Sequence, residues 1–366
     1  MTAARELVRR LAQRGHSVDV VTSTIVELGA RPARHSRVEV VDGATVHYLA
    51  TPLRYRWMGI TPTLPFALRR LERPDVAHVF GFRDPVTTGV AAWCRLRGVP
   101  YVFEPLGMFA PRLRKLRLKR VLDSTLYRGI ASGAAAVVAV SARERDDVIA
   151  GGVAPGKVRV RGNGFPEPRE ADDRGTRARI GVPEGAPLVL YVGRIAAGKG
   201  LEHLAAAAGA LDGVHVVVVG PDDRHGTAAL LNGAERVHVL PPTDAPPFDL
   251  YRAADAFVLP SAGESFGMVA AEAAAVGTPV VVTDRCGIAG FFRDGEALVV
   301  PYNRDEVIAA IRQVLADDEL RAQLARGGVA AARRMSWDNV VDAQEAVYRA
   351  VATSRTVATN ASTLES

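Results

Sequence analysis

The sequence predicts an α/β protein built as two doubly wound, mostly parallel sheets, on three observations. Short apolar runs alternate with stretches of helical spacing along most of the chain, the pattern of strand–helix–strand units. The alternation stops over about 151–187, where Gly, Pro and charge dominate, and then restarts. The 366 residues also exceed the usual single-domain size, so two domains accommodate them better than one.

The first half opens with Ala4, Leu7, Val8, Leu11 and Ala12 at helical spacing, closed by Gly15. SVDVVTS follows as a buried strand, and VEVVDGATVHYLA as a hairpin-like pair. DVAHVF (75–80), VPYVFEP (99–105) and AAAVVAVS (134–141) read as strands, the last leading into the helix ARERDDVIA. In the second half the strands are LVLYVG (188–193), VHVVVVG (214–220), RVHVLP (236–241), AFVLPS (256–261) and TPVVVTD (278–284). SWDNVVDAQEAVYRAV reads as a closing helix, and residues 353–366 as a polar, aperiodic and disordered tail.

Composition narrows the class. Hydrophobic residues make up 48% and charged residues 23%, ordinary for a globular chain. No run approaches eighteen apolar residues, so no transmembrane helix is expected. Charge and apolarity alternate from Arg5 to Arg14, which does not read as a secretion signal, and two distant cysteines suit a reducing cytoplasm. Residues 1–165 hold 27 Lys and Arg against 13 Asp and Glu, and the remainder 19 against 27. A basic half of this kind suits anionic lipid or a phosphorylated acceptor, or is simply an arginine-rich solvated surface. The cations of RLRKLRLKR (112–120) surround a helix instead of forming one face, so the run gives no clear membrane-lying helix.

The chemistry concentrates in two segments. In PSAGESFGMVAAEAAAVG (260–277) a strand ends at Pro260, Ser261 to Ser265 turn, and an alanine-rich helix starts at Met268. The free N–H groups of such a helix start are a ready site for phosphate or sugar oxygens. Glu264 and Glu272 stand eight positions apart, about 12 Å along a regular helix. That exceeds the roughly 5–9.5 Å between paired glycosidase carboxylates, so the two are spaced to hold separate parts of one long ligand. GRIAAGKG (193–200) follows a strand and precedes a helix, which makes it a phosphate-facing turn. It is not a P-loop, because Gly200 occupies the place of the magnesium-binding hydroxyl.

These segments, with Asn163-Gly164, RRLAQRGHSVDVVT at 9–22 and SWDNV at 336–340, resemble the Glu-x7-Glu pattern of the family 4 retaining glycosyltransferases of GT-B fold. The resemblance implies two Rossmann-like domains facing a cleft. They would be an acceptor-side domain over 1–165, a donor-binding domain over 166–336, and a helix over 337–352 crossing back to the first domain. The hinge would fall near Asn163–Pro168. It implies a nucleotide-sugar donor, a glycan or lipid-linked acceptor, and no metal, cofactor or nucleic acid. Arg194 and Lys199 would hold the donor diphosphate beside Gly193, and Glu264 would contact the transferred sugar. The amides of Ser265, Phe266, Gly267 and Met268 would cover sugar and phosphate. Glu272 would meet the ribose, and the main chain at His238 and Leu240 the base.

On the acceptor side the candidates are His78, Gly107 and Arg112, although a histidine on an apolar strand such as DVAHVF is more often a satisfied core residue. Leu106 stands where the family often has histidine, and Gly290 where it often has glutamate. The family also begins with a strand and glycine-rich loop ahead of the helix that opens this sequence, so roughly 10–25 further residues are expected upstream. The function implied is retaining sugar transfer in cell-surface polysaccharide or glycolipid synthesis, in the cytoplasm and peripherally on the inner membrane face. A nucleotide-sugar epimerase or hydrolase of the same fold, or a non-catalytic nucleotide-sugar-binding protein, are the alternatives.

Overall fold

The computed structural model describes residues 3–25, 35–55, 58–109, 128–168, 173–223, 226–231 and 233–364. The chain divides into two compact units, Met1–Arg161 with Val340–Ser366, and Gly162–Asn339. The basic run at 112–120 lies outside the described residues.

In the first unit, the helix Ala3–Gln13 buries Leu7 and Leu11, as its spacing predicts. Strands β1 (Asp19–Ser23), β2 (Arg37–Val41) and β3 (Ala44–Leu49) form one sheet in the order β1-β3-β2. β2 and β3 are the expected hairpin, turning at Asp42 and Gly43, both with left-handed φ (53° and 85°), as a two-residue Asp-Gly turn requires. Among the described residues, β1 has a ladder partner only on its β3 side. Asp19 is exposed and Val20 to Ser23 only half-buried, so it is not the buried strand its sequence suggested.

β4 (Leu53–Tyr55) and β5 (Met58–Ile60) form a small hairpin too short to show a period. A parallel sheet then runs β6 (Ala77–Phe80), β7 (Tyr101–Glu104), β8 (Ala136–Ala139), β9 (Val158–Val160), in that spatial order. β7 and β8 are buried at every residue. The last helix is Trp337–Leu364; its Val347, Tyr348 and Val351 pack on Val102, Ala136 and Val138. It extends past 352 into the stretch read as a tail, since no Gly or Pro interrupts it.

The second unit is one six-stranded, all-parallel sheet. Its strands are β10 (Leu188–Val192), β11 (His215–Val219), β12 (Val237–Leu240), β13 (Ala256–Leu259), β14 (Val280–Thr283) and β15 (Leu298–Val300). They lie in the order β12-β11-β10-β13-β14-β15, the doubly wound arrangement of a dinucleotide-binding fold. The direction of winding reverses between β10 and β13, and ligands of such sheets bind outside the strand ends at that point. Helix Leu201–Ala210 packs with Arg304–Ala316, and Met268–Ala275 packs with Phe248–Ala253 and Asp318–Arg334.

Candidate functional site

Both chemical segments meet at this reversal. The turn after β10 is laced to its neighbours through the main chain. Gly193 N donates to Val219 O (2.9 Å), Ile195 N to Pro221 O (2.9 Å), and Ala262 N to Gly198 O (2.9 Å). Two glycines are required by contact. A Cβ on Gly220 would lie 2.0 Å from Gly193 O, and one on Gly200, whose φ is +72°, would lie 1.9 Å from Pro260 O. The turns after β10, β11 and β13 therefore form one rigid lip at the carboxyl edge of the sheet.

On that lip the Lys199 ammonium pairs with the Glu264 carboxylate, both side chains largely buried. Glu264 is strapped to the turn after β14, its N–H donating to Arg285 O (3.2 Å) and its carbonyl accepting from Gly287 N (3.0 Å). Ile288 N likewise donates to Phe266 O (2.7 Å), and the buried Phe266 ring meets Phe291 edge-on. Helices Leu201–Ala210 and Met268–Ala275 start at Gly200 and Gly267, and neither start carries a side-chain cap. Their first-turn N–H groups and positive dipole ends remain suited to an anion. Arg194 is exposed on the same turn as Lys199, and its carbonyl accepts from the buried Tyr191 hydroxyl (3.0 Å).

Glu264 precedes the helix and only Glu272 lies on it, so a straight helical rise does not describe their separation. Glu272 is buried and accepts from the Tyr251 hydroxyl (2.9 Å). Burial pushes its carboxyl up, an effect the Tyr251 bond partly offsets. The placement of the two base-side residues on a loop needs correction. His238 sits inside β12, in register with Val217, instead of on a loop, and its ring bonds His215 (2.9 Å). Leu240 ends that strand, with its carbonyl accepting from Gly220 N (3.3 Å), so the loop begins only after it.

The acceptor-side candidates separate. His78 is in the middle of β6, buried, stacked on Phe80, with Nδ1 2.6 Å from the Tyr348 hydroxyl and Nε2 3.2 Å from Glu104. Burial lowers its pKa, and Glu104 only partly restores it. It is a core residue of the first unit, the commoner role of a histidine on an apolar strand, and not an acceptor-side group. Gly107 lies in the turn after β7, and Arg112 falls outside the described residues. Sequence reasoning missed Tyr251, Arg83 and Glu144; only Glu144 carried a visible signal, the Ser-x-x-Glu of SARE at 141–144. Among the described residues, no group of three or more His, Cys, Asp or Glu is placed to hold a metal ion. Nor is any helix long and apolar enough to cross a membrane.

Residues 2–164 match the family described as Glycosyl transferase 4-like domain, and 172–329 that described as Glycosyl transferases group 1. A D-inositol 3-phosphate glycosyltransferase 1 of Catenulispora acidiphila is 32% identical over 94% of this chain and 88% of its own length. A D-inositol 3-phosphate glycosyltransferase of Acidothermus cellulolyticus is 39% identical over 52% of this chain, and that match spans 47% of the relative. Among solved structures, a sucrose-phosphate synthase from Thermosynechococcus elongatus superposes with a TM-score of 0.75 at 23% identity, over 96% of this chain and 93% of that one. The catalytic domain of starch synthase IV from Arabidopsis thaliana gives 0.72 at 15% identity, over 96% and 95%.

Proposed function

The chain belongs to the family 4 glycosyltransferases, and on that premise we propose that it moves a sugar from a nucleotide-sugar donor to a glycan or lipid-linked acceptor. The observation that carries this reading is the Lys199–Glu264 pair at the point where the sheet reverses, beside two helix starts without side-chain caps. A donor diphosphate seated on those N–H groups would take the Lys199 ammonium from Glu264. The freed carboxylate would then accept hydrogen bonds from hydroxyls of the transferred sugar. Lys199, Arg194 and the two helix dipoles would offset the charge that develops as the diphosphate leaves, a contribution of several kcal/mol without a metal ion. Glu272, held by Tyr251, would accept from the ribose. We further propose transfer with retention, by departure and attack on one face of the sugar. The setting would be cell-surface polysaccharide or glycolipid synthesis in the cytoplasm, with the basic half of the chain drawing it to an anionic inner membrane face.

Relatives named for D-inositol 3-phosphate make that compound the first acceptor to try, and the starch synthase bound to ADP adds ADP-sugars to the donors. The test screens UDP-, GDP- and ADP-glucose for thermal stabilisation, then for transfer. A cognate donor at 100 times its Kd should add about 2.7 kcal/mol of stability. Stabilisation by none of the nucleotide sugars would overturn the reading. Rapid donor consumption without an acceptor would replace it with a hydrolase or epimerase.

A further inference from the structure

In the first unit, three loops leave the carboxyl ends of β6, β7 and β8, the edge at which parallel sheets take their ligands. The middle loop, 105–109, is strained. Leu106 and Gly107 are consecutive left-handed residues with φ of 54° and 78°. A bulky side chain holds that conformation only where its surroundings impose it.

Two charged side chains, one from the loop after β6 and one from the helix after β8, supply that imposition. Glu144, on the helix Ala142–Ala150 that follows β8, is buried, and its Oε1 accepts from Gly107 N across 37 positions of sequence. Its Oε2 accepts from Val140 N (2.9 Å), while its own N–H donates to the N-cap Ser141 Oγ (3.2 Å). The usual capping glutamate turns back to its own helix start; here one carboxylate oxygen reaches another loop. From the other side Arg83, itself left-handed at φ 63°, donates to the carbonyls of Met108 and Phe109, the latter at 2.9 Å. Its guanidinium lies over the Phe82 ring, which stacks on Phe109 (5.3 Å). Between these anchors the Leu106 side chain is half-buried and Met108 is 38% exposed.

We infer that Glu144 and Arg83 are positioning residues that hold loop 105–109 in its strained shape, so that Leu106 and Met108 form one apolar wall of the acceptor site. The inference rests on the reading of the chain as a glycosyltransferase and adds the residues that shape its acceptor side. The wall suits the carbon-rich face of a sugar or polyol ring.

The test compares the wild type with Glu144→Gln and Arg83→Lys by amide hydrogen exchange and by transfer from UDP-glucose to D-inositol 3-phosphate. Glu144→Gln leaves Gly107 N only a neutral acceptor, and Arg83→Lys loosens the loop at Met108 and Phe109, so each should speed exchange of the Gly107 amide by about tenfold while β7 and β8 stay protected. The KM for D-inositol 3-phosphate should rise by a similar factor, with the KM for UDP-glucose within about twofold of wild type. Unchanged exchange at Gly107 overturns the clamp. Faster exchange with an unchanged acceptor KM overturns the wall. If the wild type neither binds nor transfers from UDP-, GDP- or ADP-glucose, the enzymatic reading is what has failed, and exchange across 104–109 with and without D-inositol 3-phosphate decides the inference by itself.

Discussion

The second unit and the first bury their chemistry in opposite ways. In the second, an apolar sheet with fully buried β13 and β14 holds the Lys199–Glu264 pair on turns beyond the strand ends. In the first, charge lies within the core. Glu104, buried at the end of β7, takes Arg161 (2.8 Å), which donates to Gln344 of the last helix (2.6 Å), while His78 bonds Tyr348 one turn further on. Burial, which alone would raise the Glu104 pKa, is outweighed by Arg161 and His78, and the carboxyl stays below its ordinary value. A rigid apolar platform suits a site that must hold a flexible, highly charged ligand. A polar seam suits the seating of a helix whose contacts would otherwise be a few apolar residues.

Breaking each arrangement should therefore give different losses. The largest is expected for Arg161→Met, which leaves Glu104 buried without its cation. About 3–5 kcal/mol of first-unit stability should vanish in urea unfolding. Adding Glu104→Leu should recover most of it. A loss under about 1 kcal/mol in the single variant would mean the seam is solvated. Next is Gly200→Ala in the second unit, where left-handed φ and contact with Pro260 O both oppose a methyl group. The expected cost is about 2–3 kcal/mol, with weaker nucleotide-sugar binding because the lip must open. An unchanged unfolding midpoint would show that the lip is compliant.

The smallest effect sharpens the contrast through pH. The folded His78 pKa lies below its ordinary value, so the unfolded chain takes up a proton near pH 6.5 that the folded one refuses. Stability should fall as pH drops through that value, by at most about 1.4 kcal/mol per pH unit. Glu104, with its pKa lowered, holds its contribution until more acidic pH and loses it as the pH falls through its folded value. Unfolding of His78→Gln between pH 7.5 and 5.5 should show a shallower slope than wild type. Parallel curves would remove His78 from the balance.

How far each unit could be read from sequence follows the same division. The valine-rich runs from β10 to β14 announced themselves, and Lys199 and Glu264 were found because their turns are contiguous in sequence. β4, β5, β9 and β15 are three residues each, too short to show a period. The apolar strand around His78 points to a core histidine, but its partner Tyr348 lies 270 positions away, a pairing no local pattern reveals. RVHVLP shows its strand character around His238, but the ring contact of His238 with His215, 23 positions away, leaves no local trace. Glu144 showed its capping pattern, but nothing in SARE indicates that one oxygen reaches Gly107.

The central claim is that Lys199 leaves Glu264 to hold the donor diphosphate. Titration of UDP-glucose into the wild type and into Lys199→Ala, followed by turnover with the best acceptor, tests it most directly. Lys199→Ala is expected to fold, to bind UDP-glucose at least about tenfold more weakly, and to turn over about 100- to 1000-fold more slowly. Near wild-type binding and turnover in Lys199→Ala would contradict it.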